Sequence, residues 1–381
     1  MAKNGESLHI FFASRLVLEK WVDILIDAIE VSQIDPILKE IHWHICSDGN
    51  FTWVIQALSE KYPQNVSYYG KVGIEKMREL YRKADFLLMP SRFLETFGLT
   101  ALESLASGTP VIGIRKGWLM DFIPEDYALD EADPVNSLLS ILRRCTSGNL
   151  PQVIDVSQYD PENWMRQLDQ IFSWQQRILI MHDYADLIGG AEYYTHRVMT
   201  ALSDLGKEVE FYGYHGKTSI WKRRLMFIFS PFSLWHWMAL QKKFSTFQPD
   251  AIWMHSILRY VWVWWIRAVA SYSAKHQIPV FLSHHDVGLI APFPQYVHSE
   301  SQIPDGTSRM EFVSHETSIV RGMIANIKWI LVHLLKRKLP KNMRHIIFSP
   351  FLEKHIRNHF PHQEIIILPH CVDRALYQVS D

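Results

Sequence analysis

Two carboxylates eight residues apart, Glu95 and Glu103, flank the start of an expected helix in the string Ser91-Arg92-Phe93-Leu94-Glu95-Thr96-Phe97-Gly98-Leu99-Thr100-Ala101-Leu102-Glu103. The amides that open a helix have no acceptor inside it, so those of Phe97, Gly98 and Leu99 suit an anion such as a diphosphate. Gly98 has no Cβ to hold the backbone away. Glu103, inside the helix, is placed to accept hydrogen bonds from vicinal hydroxyls such as those of a ribose. Glu95 stands in the loop above the phosphate position, where a sugar would sit. Upstream, Arg15 and Lys20 follow a strand five residues apart. An arginine grips phosphate as a fork and a lysine as a point charge, so the pair suits a pyrophosphate. In the second half, Gly189-Gly190 after another strand opens a helix whose first amides are a second anion-binding candidate. His284-His285-Asp286 ends a further strand and adds an imidazole to the set.

These residues need a scaffold that brings strand ends together. Apolar, β-branched runs alternate with amphipathic helical stretches throughout, which predicts parallel sheets built from βαβ units. The expected strands of the first half are Leu8–Ala13, Ile41–Cys46, Ser67–Tyr69, Phe86–Met89 and Val111–Ile114. Those of the second are Arg177–His182, Glu208–Tyr212, Ala251–His255, Val280–His284, His345–Phe348 and Ile365–Leu368. Expected helices include Trp21–Ser32, Thr52–Lys61, Ile74–Lys83, Gly98–Ser107, Ala191–Leu205 and Tyr260–His276. A chain of 381 residues is long for one core, so two α/β domains are expected, at 1–160 and 177–381, joined by a crossover helix and linker at 161–176. Ligands of such domains sit at the carboxyl ends of the strands, here lining an interdomain cleft.

The string around Glu95 and Glu103 resembles the Glu-x7-Glu motif of retaining glycosyltransferases with the GT-B fold, in particular glycosyltransferase family four (glycosyl transferases group 1). The resemblance implies an α/β fold of two Rossmann-like parallel-sheet domains facing a cleft, with Glu95 at the donor sugar, Glu103 at the ribose and the amides of Phe97, Gly98 and Leu99 at the phosphate. Ser14-Arg15-Leu16 through Glu19-Lys20-Trp21-Val22-Asp23 is similar to the family segment Gly-Arg-Leu-x-x-Glu-Lys-Gly-x-Asp, which makes Arg15 and Lys20 diphosphate ligands. Ser14 and Trp21 replace its two glycines. Tyr69-Gly70-Lys71-Val72 resembles the base-binding turn, with backbone groups near Lys71 and Val72 facing the nucleobase. Ile114–Asp121 stands where relatives carry a Gly-Gly-x-x-Glu loop and departs from it. Gly189-Gly190-Ala191-Glu192 is similar to the first βα unit of the family's acceptor domain, and His285-Asp286 to its His-Asp strand end.

The resemblance covers nearly the whole chain, but in reversed order. The segment Leu368–Asp373, similar to the family's Pro-Asn-Gly-Val-Asp, precedes the Gly-Arg-Leu strand in relatives and follows it here. Joining Asp381 to Ala2 restores the family sequence, so the order looks circularly permuted. The implied activity is metal-independent transfer of a sugar, a hexose in the family's pattern, from a UDP- or GDP-sugar to a glycan or lipid-linked acceptor hydroxyl with retention. It would serve cell-surface polysaccharide or glycolipid synthesis. No further cofactor is required, and nucleic acid is not an expected partner. There is no Asp-x-Asp, so cations and helix amides would neutralise the leaving diphosphate. A catalytically inert nucleotide-sugar-binding protein and a sugar-nucleotide epimerase of similar architecture remain open.

Charge divides the chain. Residues 1–176 carry a net of −8 and 177–381 a net of +7, and the basic half suggests anionic ligands, an anionic lipid surface or contact with the acidic half. Three scattered cysteines, Cys46, Cys145 and Cys371, predict neither a disulfide framework nor a zinc site, and with a polar start lacking a secretory core they point to the cytoplasm. The aromatic stretch 225–241 and a basic amphipathic helix expected over 328–344 are candidates for peripheral contact with the inner face of the plasma membrane.

Overall fold

The computed structural model describes residues 7–92, 94–95, 97–184, 190–214, 234–255, 263–285, 290, 303 and 339–377. The described residues divide into two compact units, one holding those up to Asn163 together with Cys371–Tyr377, the other those from Trp164 to His370.

In the first unit strands and helices alternate: β1 (His9–Ala13), α1 (Val22–Ile34), β2 (His42–Cys46), α2 (Thr52–Lys61), β3 (Val66–Gly70), α3 (Ile74–Lys83), β4 (Phe86–Met89), α4 (Leu99–Ala106), β5 (Val111–Gly113) and α5 (Pro134–Thr146). The strands pair in parallel in the order β3-β2-β1-β4-β5. A parallel sheet is covered on both faces, which is why β4 reads Phe-Leu-Leu-Met with every residue buried. One face carries Ile10, Phe12, Trp43, Ile45 and Leu88 against α1 and α5.

The other face holds a polar stack. His9 Nδ1 lies 2.9 Å from His44 Nε2, and His44 Nδ1 lies 2.9 Å from the Tyr69 hydroxyl. The His42 ring lies tilted against His44, centroids 4.6 Å apart, and meets Ser67 Oγ at 2.9 Å. Burial pushes the His44 imidazole down to about 3, with smaller contributions from His42 and Lys83. His9 and His42 begin their strands, at the amino edge of the sheet.

The second unit holds β6 (Arg177–Tyr184), α7 (Gly190–Asp204), β7 (Glu208–Tyr214), α8 (Leu234–Phe247), β8 (Ala251–His255), α9 (Val263–His276), β9 (Val280–Ser283), β10 (Met343–Ile347), α10 (Phe351–His359) and β11 (Glu364–Ile367). Its sheet is also parallel, in the order β11-β10-β9-β8-β6-β7. The helix α6 (Pro161–Ile171) carries the chain from the first unit into the second.

The two-sheet α/β architecture is the one expected from the sequence, and the division between units differs at its ends. Most of α6 goes with the second unit instead of forming a separate linker, burying Trp164 and Leu168. Residues 371–377 go with the first: the Val372 amide donates to the Tyr159 carbonyl at 2.9 Å, Arg374 pairs with Asp155 at 3.5 Å, and α11 (Arg374–Tyr377) brings the Tyr377 ring to 6.3 Å from Tyr81. The basic helix expected over 328–344 is corrected at its end, since Met343 and Arg344 open β10 and pair with β9 and β11. Its residues 328–338, like 225–233 of the aromatic stretch, lie outside the described residues, while 234–241 begin α8. Among the described residues no helix is long and apolar enough to cross a membrane.

Candidate functional site

Parallel strands put every strand-to-helix loop at one edge of the sheet, and ligands gather where neighbouring loops leave in opposite directions. In the first unit that place lies between β1 and β4, because the order runs β2-β1-β4. The loop after β1 carries Arg15 and Lys20, and the loop after β4 carries Glu95 and Gly98.

The two loops meet. The Lys20 ammonium forms an ion pair with Glu95 Oε1 and lies 3.5 Å from Ser91 Oγ, while the Ser91 hydroxyl donates to Glu95 Oε1 at 2.9 Å. Both charged side chains keep 17% of their surface exposed, so the pair is half-shielded yet reachable. The Arg92 amide donates to the Glu19 carbonyl at 3.1 Å and its guanidinium to Asp23 at 2.7 Å, which ties the loops again. Arg15 lies exposed just after β1. A phosphate arriving here would compete with Glu95 for the Lys20 charge.

Lys20 is held by a short helical turn, Leu18–Lys20, that closes on Trp21 in the left-handed region, at φ 52°. Glycine adopts that region freely, and a bulkier residue there costs about 1–2 kcal/mol. This is the position where the related motif has glycine. Here the indole is retained by burial, at 7% exposure, with the Arg92 guanidinium 5.5 Å from its ring centroid.

Gly98 caps α4 with φ 74°, also left-handed. Its carbonyl accepts from the amides of Ala101 and Leu102 at 2.9 and 3.1 Å. The amides before them, at Gly98, Leu99 and Thr100, have no acceptor inside the helix by its geometry. A Cβ at Gly98 would stand 2.9 Å from the Leu119 side chain. Phe97 is buried against Trp118, and Phe122 and Tyr159 complete the aromatic cluster. The segment Ile114–Asp121, a departure from the related motif, braces the loop: the Trp118 amide donates to the Glu95 carbonyl at 3.2 Å, and a Cβ at Gly117 would stand 2.5 Å from that oxygen. Gly117 is left-handed at φ 56°. Sequence reading missed this brace, though a glycine before a buried tryptophan was its signal.

Glu103 lies one helical turn deeper. It accepts a hydrogen bond from the Tyr81 hydroxyl at 3.0 Å and bonds Tyr377, both of whose hydroxyls burial pushes upward. The Arg78 guanidinium sits 5.2 Å from the Tyr377 ring centroid. The carboxylate is thus oriented by two phenols, and hydroxyls of a ligand would share or replace them. Lys71, after β3, pairs with Asp48 of the loop after β2 at 3.0 Å. Both are exposed, and Val72 follows on the same edge, two strands from Lys20.

In the second unit the switch lies between β6 and β8. His182 is in β6, His255 ends β8, and His285 follows β9. His255 Nδ1 lies 3.0 Å from His285 Nε2. Tyr194 of α7 packs edge-on against His285 at 5.4 Å and against His370 at 4.4 Å, with Phe348 between them. Burial holds His255 and His285 well below the ordinary imidazole range and His370 down to about 3, so all three are neutral near pH 7. His284 faces elsewhere: its Nε2 lies 2.7 Å from His345 Nδ1, and His345 continues to Gln363, a buried structural relay. Gly190 opens α7, with Glu192 4.0 Å from His182. Gly189 and Asp286 lie outside the described residues. His255, His370 and Tyr194 were not singled out from the sequence, because each reaches His285 only through the fold. Among the described residues no three His, Cys, Asp or Glu side chains are grouped to hold a metal.

Residues 1–129 match the model of the family described as glycosyl transferases group 1. Over 140 residues the chain is 32% identical to mannosylfructose-phosphate synthase of Agrobacterium fabrum, covering 34% of this chain and 30% of that enzyme. It is 27% identical over 173 residues to an uncharacterized 41.2 kDa protein in the cps region of Klebsiella pneumoniae, covering 45% of this chain and 46% of that one. The chain thus spans between about a third and a half of the length of such relatives. Among solved structures, the lipopolysaccharide outer core galactosyltransferase WaaB matches at a TM-score of 0.33 and 24% identity, over 39% of this chain and 43% of that one. Anabaena Alr3699/HepE in complex with UDP-glucose matches at 0.31 and 20%, over 37% and 40%.

Proposed function

We propose that this chain is a retaining glycosyltransferase that moves a sugar from a nucleotide-diphosphate sugar to an acceptor hydroxyl, with its donor and acceptor units in circularly permuted order. The observation that carries the reading is the joining of Lys20, Ser91 and Glu95 beside the Gly98 helix start, at the switch point of the unit that matches the glycosyl transferases group 1 model. The assignment of Cys371–Tyr377 to that unit supports the permuted order, because the residues after the last strand then lead back to the domain holding β1.

In this reading the amides of Phe97, Gly98 and Leu99, with Arg15 and Lys20, hold the diphosphate. As the bond from the anomeric carbon to the phosphate oxygen breaks, charge grows on that oxygen and these donors stabilise it without rearranging. The acceptor oxygen attacks from the same face, and its proton passes to the departing phosphate. Glu95 bonds the donor sugar, Glu103 the ribose, and backbone near Lys71 and Val72 the base. Gly190 and the neutral imidazole of His285 belong to the acceptor unit, where an uncharged polar cluster suits a polyol better than an anion. The location of the Klebsiella relative in a cps region agrees with a surface-glycan acceptor. Release of nucleoside diphosphate from a panel of UDP-, GDP- and ADP-sugars tests the proposal. Turnover of one donor that disappears in Glu95→Gln supports it, and no turnover of any donor with any simple glycan acceptor counts against it.

A further inference from the structure

The His255–His285 contact fixes more than position. Both rings are neutral, so one proton lies between two nitrogens 3.0 Å apart and each ring has one more nitrogen to account for. His255 is 0% exposed, and its Nε2 is buried with no hydrogen-bond partner. If His285 donated from Nε2, the His255 proton would have to sit on that Nε2, an N–H buried without an acceptor. If His255 donates from Nδ1, its Nε2 is only an unused lone pair. Buried donors without partners are rarer in folded proteins than under-used acceptors. The geometry therefore favours His255 as donor and His285 Nε2 as acceptor, which leaves the His285 proton on Nδ1.

We propose that His255 is a positioning residue that locks His285 in the Nδ1–H form, so that His285 meets a substrate oxygen as a hydrogen-bond donor and not as a base. The proposal rests on the reading that His285 serves the acceptor unit in sugar transfer. The surroundings enforce the same geometry. The Trp253 indole, 4.8 Å from His255, spends its N–H on Ser283 at 2.7 Å, so it offers His255 nothing. Tyr194 and Phe348 pack on the His285 ring at 5.4 and 4.8 Å and resist a ring flip. A donor at this point selects ligands that present an oxygen lone pair, as a sugar hydroxyl or ether does. It also leaves the acceptor proton to the departing phosphate.

The test is a two-bond nitrogen–proton correlation spectrum of the full chain labelled with ¹⁵N-histidine, using His285→Gln to identify the signals. The Nδ1–H pattern for His285 is expected in the unsubstituted protein and in His255→Asn, whose side-chain amide can donate from nearly the same point. Loss of that pattern is expected in His255→Leu. An Nε2–H pattern for His285 in the unsubstituted protein overturns the proposal. In turnover assays His255→Leu should lower kcat by about 10–100-fold with the donor KM unchanged, and His255→Asn should recover most of it. Equal kcat in His255→Leu and the unsubstituted protein also overturns it. If no donor is turned over at all, it is the assigned activity that fails, and the spectrum still decides the tautomer.

Discussion

The two units use one scaffold, a parallel sheet with its loops gathered at one edge, and furnish that edge in opposite ways. In the first unit the switch point carries Lys20, Glu95 and an amide-lined helix start, all charged or strongly polar and part-exposed. In the second it carries His182, His255 and His285 in an aromatic setting that keeps His255 and His285 uncharged. The two edges thus differ in charge, set by loop residues in the first unit and largely by strand residues in the second, where His182 and His255 belong to β6 and β8. The histidine stack of the first unit sharpens the contrast. His9 and His42 lie at the amino edge, where His9 meets Ser7 and His44 and His42 meets Ser67, so the same residue type there holds the sheet together. Position relative to the strand end separates the two uses.

The largest effect is expected at the charged edge. Lys20→Ala should lower donor turnover by about 10²–10³-fold, the usual loss when one preorganised charge donor is removed. Lys39→Ala, an exposed lysine elsewhere, should leave it unchanged. At the neutral edge, His285→Ala should lower turnover by about 10–100-fold while donor affinity, measured separately, stays the same. A fall in donor affinity instead would erase the distinction between the edges.

A structural prediction concerns the brace under Glu95. Gly117→Ala sets a Cβ 2.5 Å from the Glu95 carbonyl at a left-handed backbone, and should destabilise the protein by about 1–3 kcal/mol in denaturant unfolding. The smallest effect is on pH dependence. His44 titrates near 3 when folded and near 6.5 when unfolded. Below pH 6.5 the unfolded chain takes up the proton and the folded one does not, so stability falls as pH falls between those values. From pH 7 to 5 the loss is about 2 kcal/mol for this residue. His44→Asn should flatten that slope in melting curves of the whole chain.

Much of the scaffold was legible. Strands Phe86–Met89 and Ala251–His255 and helices Thr52–Lys61 and Ile74–Lys83 lie where the hydrophobic pattern places them. Local pattern determines such elements because their burial repeats along the chain. It did not show α5 or α10, whose apolar faces are set by the sheet they cover. The Glu95 loop, Gly98 turn and Lys20 were legible through residue type and spacing. The Trp118 brace, the Tyr81 and Tyr377 hydroxyls on Glu103 and the His255–His285 bond were not, since each joins residues 22 or more apart through tertiary packing. The Trp21 substitution was visible, but its meaning required the left-handed backbone at that position.

Calorimetric titration of UDP and of GDP into the full chain and its Lys20→Ala and His285→Ala forms separates the two edges. One nucleotide site per chain is expected, weakened by more than about tenfold in Lys20→Ala and unchanged in His285→Ala. Binding that ignores Lys20, or that vanishes with His285, would contradict it.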